Sequence, residues 1–240
     1  MKPLKELVKS RIPPQERILE EALLQTDAEL PAKAENRLSL ELEHVMKKAQ
    51  EIHLSKEKDA FKKAVDERFG STEQSASEVI KENFGQIQDT FMSLFQSRKA
   101  RAGKTLENAV SLILRKAEVP FEPEKKSKGG GRPDFFIPNS RTYDEDPLNA
   151  RILACKRTVR ERWMQIIPEA QNQGIFYLLT LDADVADRTI RHMAKKRVYL
   201  VVPAKIKENS YPNSKNVITL DAFVDDCKKM LGGNHGGHYF

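Results

Sequence analysis

PDFFIPNSRTYDEDPLNARILACKR, residues 133–157, holds two short apolar runs on either side of a polar stretch. Asp134-Phe135-Phe136-Ile137 reads as one strand, the span through Asp146-Pro147 as a polar loop, and Ala150 to Cys155 as the next strand. Downstream the alternation continues. IFYLLTL, residues 175–181, is a buried strand, and residues 184–196 carry a helical pattern. Val198 to Val202 and Val217 to Leu220 are two further strands, and DAFVDDCKKML, residues 221–231, is a closing helix. The segment from Arg160 to Gln171 between the second and third strands reads as helix. This order predicts an α/β fold in which a mixed central sheet is flanked by helices on both faces.

Upstream the character differs. LEHVMKKAQEI (42–52), AFKKAVDERF (60–69) and SEVIKENFGQIQDTFMSLFQSR (77–98) place apolar residues at helical spacing among many charges, with no alternating strand pattern. Pro13-Pro14 and Gly70-Ser71 mark breaks. Residues 1–94 are expected as a helical N-terminal region and 95–240 as the α/β core. SRKARAGKTLENAVSLILRKA (97–117) begins with clustered basic residues and continues as an amphipathic helix whose entrance Gly103 or Thr105 could mark. Val119 to Phe121 is a short extended piece, and KKSKGGGR (125–132) is a loop.

Composition sets outer bounds. The chain has 240 residues, 39% hydrophobic and 32% charged, with a formal net charge of +6. That suits a globular protein with one α/β core and an attached smaller region, and the positive excess favours a nucleic-acid partner without proving one. Two cysteines, Cys155 and Cys227, exclude a disulfide framework, and the five histidines form no zinc-hydrolase grouping. There is no signal-peptide pattern and no long apolar run, so a cytoplasmic protein is expected.

The chemistry-bearing residues lie at the strand ends. Asp134 opens a strand directly after the glycine-rich loop, Lys156 stands at the end of the next strand, and Glu169 follows 13 residues later. Strand ends that meet at one sheet edge can gather such groups although 22 residues separate the first two. Two carboxylates and a lysine there would form a hard, oxygen-rich Mg2+ site with an ammonium beside it. That set suits phosphodiester hydrolysis, in which a metal polarises the phosphate and the lysine stabilises developing negative charge. Taken singly, Pro-Asp is common turn chemistry and a lysine after a strand is a common solvated end. The combination is what carries the expectation.

Asp134 together with CKRTVRERWMQIIPEA, residues 155–170, resembles the variant PD-(D/E)xK motif of the Type II restriction endonucleases that group with SsoII, PspGI and the EcoRII catalytic domain. In that family the second acid before the lysine is replaced and a later glutamate supplies the missing carboxylate. Here Cys155 holds the replaced position and Glu169 matches the later glutamate. The resemblance implies the αβββαβ core of restriction endonucleases and a catalytic set of Asp134, Lys156 and Glu169, with Asp134 and Glu169 on Mg2+. It also matches Glu107 to an acid on the first core helix near the metal. On local grounds Glu107 could equally be a first-turn glutamate favouring the helix dipole.

Arg160-Glu161-Arg162 match the family's base-reading segment. Arginine can donate twice to guanine and glutamate can accept from cytosine, so this segment would read C·G pairs. Gln96 matches a glutamine that reaches bases from the minor groove. Arg98, Lys99, Arg101 and Lys104 are the simplest phosphate contacts. Phe61 stands where some relatives stack a flipped base, although helical periodicity equally makes it core. Trp163 reads as core. The resemblance implies double-stranded DNA as substrate and a homodimer cutting a palindrome of the CCGG, CCNGG or CCWGG type, with 5′ overhangs. A structure-selective repair nuclease of the same fold, or a DNA-binding protein with structural acids, are the alternatives.

Overall fold

The computed structural model describes residues 2–71, 73–123, 133–159 and 175–232. The glycine-rich loop, the helix expected at Arg160 to Gln171 and the histidine-containing tail lie outside them. Of Lys99 the backbone alone is described. The chain divides into two compact units: residues 1–29 with 44–105, and residues 30–43 with 106–240.

The first unit is helical. It holds α1 (Leu4–Arg11), α2 (Gln15–Glu29), most of α3 (Arg37–Phe69), α4 (Ala76–Glu82) and the first part of α5 (Phe84–Lys116). Pro13-Pro14 separates α1 from α2, and α3 stops immediately before Gly70, as the sequence predicts. Leu4, Val8 and Ile12 repeat every four residues and pack with Ala60, Ala64 and Leu94. The two alanines keep that face narrow, and Phe61, Val65, Phe69 and Ile87 pack against the cluster. At α4 the Ser75 hydroxyl accepts from Glu78 N–H while the Glu78 carboxylate accepts from Ser75 N–H, satisfying two orphan donors.

The structure corrects one boundary. α5 runs unbroken from Phe84 to Lys116, so neither Gly103 nor Thr105 opens a helix. The Thr105 hydroxyl donates back to the Arg101 carbonyl at 2.8 Å, the bond of a residue inside a helix and not of a cap. A Cβ at Gly103 would meet no atom within 4 Å, so that glycine marks no close approach. Two residues past the end of α5, Glu118 adopts φ 58° while Val119 N–H reaches the Leu114 carbonyl at 2.9 Å.

The second unit carries the sheet. β1 (Glu122–Pro123), β2 (Phe135–Ile137), β3 (Arg151–Cys155), β4 (Ile175–Leu179), β5 (Val198–Val202) and β6 (Val217–Thr219) lie side by side in chain order. β1, β2 and β3 pair antiparallel, and β3 to β6 pair parallel. This is the expected mixed sheet. The central strands are buried on both faces, which explains why they read as continuous apolar runs.

Alternation along the strands separates two cores. Ile152, Ala154, Phe176, Leu178, Val198, Leu200 and Val202 join Ile190 and Met193 of α7 (Asp187–Lys195). The other register of side chains meets α9 (Leu220–Gly232): the Tyr177 ring lies 4.7 Å from Phe223. Helices therefore cover both faces. Arg151, 9% exposed, enters that second layer with its charge matched by Asp226, to which it donates at 2.7 Å. The Tyr177 hydroxyl donates to the same carboxylate oxygen at 2.8 Å.

Two short helices were not expected. The polar span read as loop contains α6 (Ser140–Glu145), capped where Thr142 N–H donates to Asn139 Oδ1, and α8 (Ala204–Ser210) follows Pro203. Residues 30–43 join this unit through Asp221, whose carboxylate accepts from Leu38 N–H at 2.8 Å and Ser39 N–H at 3.0 Å. Among the described residues no helix is long and apolar enough to cross a membrane.

Candidate active site

The antiparallel register of β2 on β3 pairs Phe135 with Leu153. The residue before Phe135 and the residues after Leu153 therefore arrive at one sheet edge. Asp134 and Lys156 occupy those places. Cys155 N–H donates to Asp134 Oδ2 at 2.6 Å, and Lys156 Nζ lies 3.5 Å from the same oxygen. Lys156 N–H donates to the Leu179 carbonyl at 2.9 Å, which continues the β3–β4 ladder past the strand and fixes the lysine's backbone. The Asp134 side chain is 14% exposed and the Lys156 side chain 46%, so a half-buried acid stands beneath an accessible ammonium.

Burial raises the Asp134 pKa above its ordinary value, opposed by the Cys155 N–H and the Lys156 charge, while Glu107 pushes it further up. Glu107, on α5 in the second unit, is thus close enough to act on Asp134 through its charge. The first-turn reading of Glu107 fails, because α5 begins at Phe84 and Glu107 lies well inside it. Cys155 is buried, and desolvation, reinforced by Asp134 and Glu107, pushes its thiol well above the ordinary range. A buried thiol so disfavoured as a thiolate is shielded from solvent. Cys155 contributes its backbone N–H instead.

Asp134, its proton affinity raised by burial and by the Glu107 charge, forms with Glu107 and one lysine a set of hard oxygens that a divalent cation would neutralise. The residues fit such an ion. Among the described residues no group of three acidic, histidine or cysteine side chains could hold a metal. The third acid, Glu169, lies outside the described residues, as do Arg160, Glu161, Arg162 and Trp163.

The remaining sequence-predicted residues belong to the first unit. Gln96 and Lys104 are exposed. Arg98 Nε donates to both carboxylate oxygens of Glu57 at 3.1 and 3.2 Å, and its Nη2 also meets Glu57, a side chain only 5% exposed. That pairing raises the Arg98 pKa. Arg101 Nη1 lies 3.1 Å from His53 Nε2. The His53 pKa is lowered, first by desolvation and then by Arg101, so the ring is held neutral and accepts from the guanidinium. Phe61 is half-buried on the helical core with its ring 5.2 Å from Phe91. Sequence reasoning missed Glu57 and His53. Their i, i+4 spacing on α3 was legible, but their partners lie 41 and 48 residues away.

The chain is 33% identical over 157 residues to the Type II restriction enzyme EcoRII of Escherichia coli, covering 61% of this chain and 38% of that protein. It is 28% identical over 154 residues to the Type II restriction enzyme SsoII of Shigella sonnei, covering 60% of this chain and 50% of that protein. The matches thus span half or less of these relatives' length. Among solved structures, metal-depleted Ecl18kI with uncleaved, modified DNA superposes with a TM-score of 0.79 at 21% identity, over 100% of this chain and 88% of that one. The PspGI–substrate DNA complex gives 0.68 at 24%, over 94% and 95%. These two likenesses establish a shared restriction-endonuclease fold. The profile of the EcoRII C-terminal family matches residues 67–224, well over half of the sequence, and the chain belongs to that family.

Proposed function

We propose that this chain hydrolyses double-stranded DNA as a metal-dependent Type II restriction endonuclease. One observation carries the reading: the half-buried Asp134 carboxylate is held between the Cys155 N–H and the Lys156 ammonium, within the field of Glu107. A purely structural acid would need neither a second carboxylate nor an exposed lysine beside it. The names of the two relatives support the activity, and the DNA complexes among the structural neighbours support the substrate.

Mg2+ is the proposed ion, held by Asp134 and Glu169 with Glu107 nearby. When bound it supplies Lewis-acid polarisation of the scissile phosphate and a more acidic water. The chain's own groups supply the rest. Asp134 Oδ2 is oriented by the Cys155 N–H, and this carboxylate would help to hold the ion. Lys156, fixed through its backbone, would offer Nζ to the charge that develops on the phosphate. No covalent intermediate is required.

Arg160, Glu161 and Arg162 are the proposed base readers in the major groove, and Gln96 in the minor groove. Lys99, Arg101 and Lys104 would meet phosphates, as would the part of the Arg98 guanidinium that Glu57 does not engage. Phe61 is the proposed platform for a flipped base. The target is a short C/G palindrome of the CCGG, CCNGG or CCWGG type, cut by a cytoplasmic homodimer to leave 5′-phosphates and 5′ overhangs. Digestion of plasmid DNA with Mg2+ and run-off sequencing of the ends test this. Discrete fragments with one recurring palindrome are expected. A smear would defeat sequence specificity, cutting confined to branched DNA would favour a repair nuclease, and no cutting with any divalent metal would defeat the enzyme.

A further inference from the structure

Four residues separate the end of β3 from Arg160, and the last residue of β4 and the segment after it hold them at three backbone points. Lys156 N–H donates to the Leu179 carbonyl at 2.9 Å. The buried Thr180 hydroxyl donates to the Arg157 carbonyl at 3.3 Å. Val159 N–H donates to Asp182 Oδ2 at 2.8 Å, and the Val159 side chain packs on the sheet core.

Asp182 is itself immobilised. Its Oδ1 accepts from Asp184 N–H at 3.1 Å, and its own N–H donates to Thr180 Oγ1 at 3.1 Å. Its carbonyl accepts from the Tyr211 hydroxyl at 2.9 Å, and that hydroxyl in turn accepts from Val185 N–H at 2.8 Å. Tyr211 is 4% exposed, so the loop is anchored in the core. Both Asp182 carboxylate oxygens are thus spent on backbone N–H groups, one of them across the fold. A carboxylate accepting from backbone N–H makes a strong, directional bond.

We infer that Asp182 is a positioning residue of the cleavage site, tying the residue that precedes Arg160 to the sheet edge that carries Lys156. This rests on the nuclease reading above. Arg160 begins one bond after Val159, so the Val159–Asp182 bond sets the origin from which the base-reading segment departs. The Lys156–Leu179 bond sets the origin of the lysine. Lys156 and the residue before Arg160 are thus attached to the same strand end, and displacements of about 1 Å at such sites cost large factors in rate.

The test compares the full-length parent with Asp182→Ala, Asp182→Asn and Thr180→Val. The readouts are single-turnover cleavage at the mapped site and at single-mismatch sites, together with amide exchange at Val159. Asp182→Ala is expected to slow cognate cleavage by about tenfold to a hundredfold, the loss of one charge-assisted bond. Its cognate-to-mismatch ratio is expected to fall, and its Val159 amide to lose protection. Asp182→Asn keeps one acceptor oxygen, which can take the Val159 N–H, and recovers part of both, while Thr180→Val gives a smaller loss in the same direction. An Asp182→Ala protein with the parental ratio overturns the inference, as does one whose rate loss follows only a lowered melting temperature. Should the alanine variant not fold, Thr180→Val with parental rate and ratio overturns it. If the parent itself cuts no DNA, the nuclease reading fails separately, and undiminished Val159 protection in Asp182→Ala still refutes the anchor.

Discussion

Asp226→Ala removes the carboxylate paired with Arg151, a residue 9% exposed on the α9 side of the sheet. Two bonds go at once: Arg151 Nε to Asp226 at 2.7 Å and the Tyr177 hydroxyl to Asp226 at 2.8 Å. Breaking a buried ion pair from one side costs about 3–5 kcal/mol, because the remaining charge stays buried without compensation. The Asp226 side chain is 39% exposed, so water can enter in its place and screen part of that penalty. The expected loss is about 2–3 kcal/mol, mostly desolvation of Arg151 and an unsatisfied Tyr177 hydroxyl. Denaturation in urea, followed by circular dichroism, measures it. The paired replacement Arg151→Met with Asp226→Ala should regain most of the loss, since no buried charge is left. A single variant within about 0.5 kcal/mol of the parent, or a double variant no better than the single, would refute the reasoning. β3 delivers Lys156, so the single variant should also lose cleavage near its unfolding midpoint sooner than the parent.

Two further outcomes follow from local geometry. Glu118, just past the end of α5, sits at φ 58°, where a side chain is strained, so Glu118→Gly should stabilise the protein by about 0.5–1 kcal/mol, read as a higher urea midpoint; a lower midpoint would contradict it. His53 is held neutral below its ordinary pKa, so the unfolded chain binds the extra proton first as pH falls through about 6.5; folded stability is full above that value and declines below it, and His53→Gln should flatten the acid limb of the melting profile.

Much of the fold was legible because its signals are local. Apolar runs at 135–137, 151–155, 175–179 and 198–202 became strands, and the spacing of Ile190 and Met193 marked α7. What escaped depends on context. α6 is six residues stabilised by an Asn139 cap, with Tyr143 alone reaching the core and too little periodicity to distinguish it from a loop. α8 buries Ala204 and packs Ile206 only partly, so its apolar face is too small to register. Gly103 and Thr105 looked like punctuation, but helical neighbours carried α5 through both. The same holds for the site. Asp134 and Lys156 could be paired from strand ends alone, whereas the hold of Glu57 on Arg98 joins two helices at a separation of 41 residues and leaves no local trace. Asp182 reads as ordinary turn chemistry until Val159 is seen to donate to it.

Single-turnover cleavage of a mapped DNA site in Mg2+, parent against Asp134→Asn, tests the central claim most directly. The variant keeps the shape and the Cys155 bond but loses the charge on which ion binding depends, so cleavage is expected to vanish while DNA binding and the melting temperature persist. Cutting by Asp134→Asn at the parental rate would contradict the account.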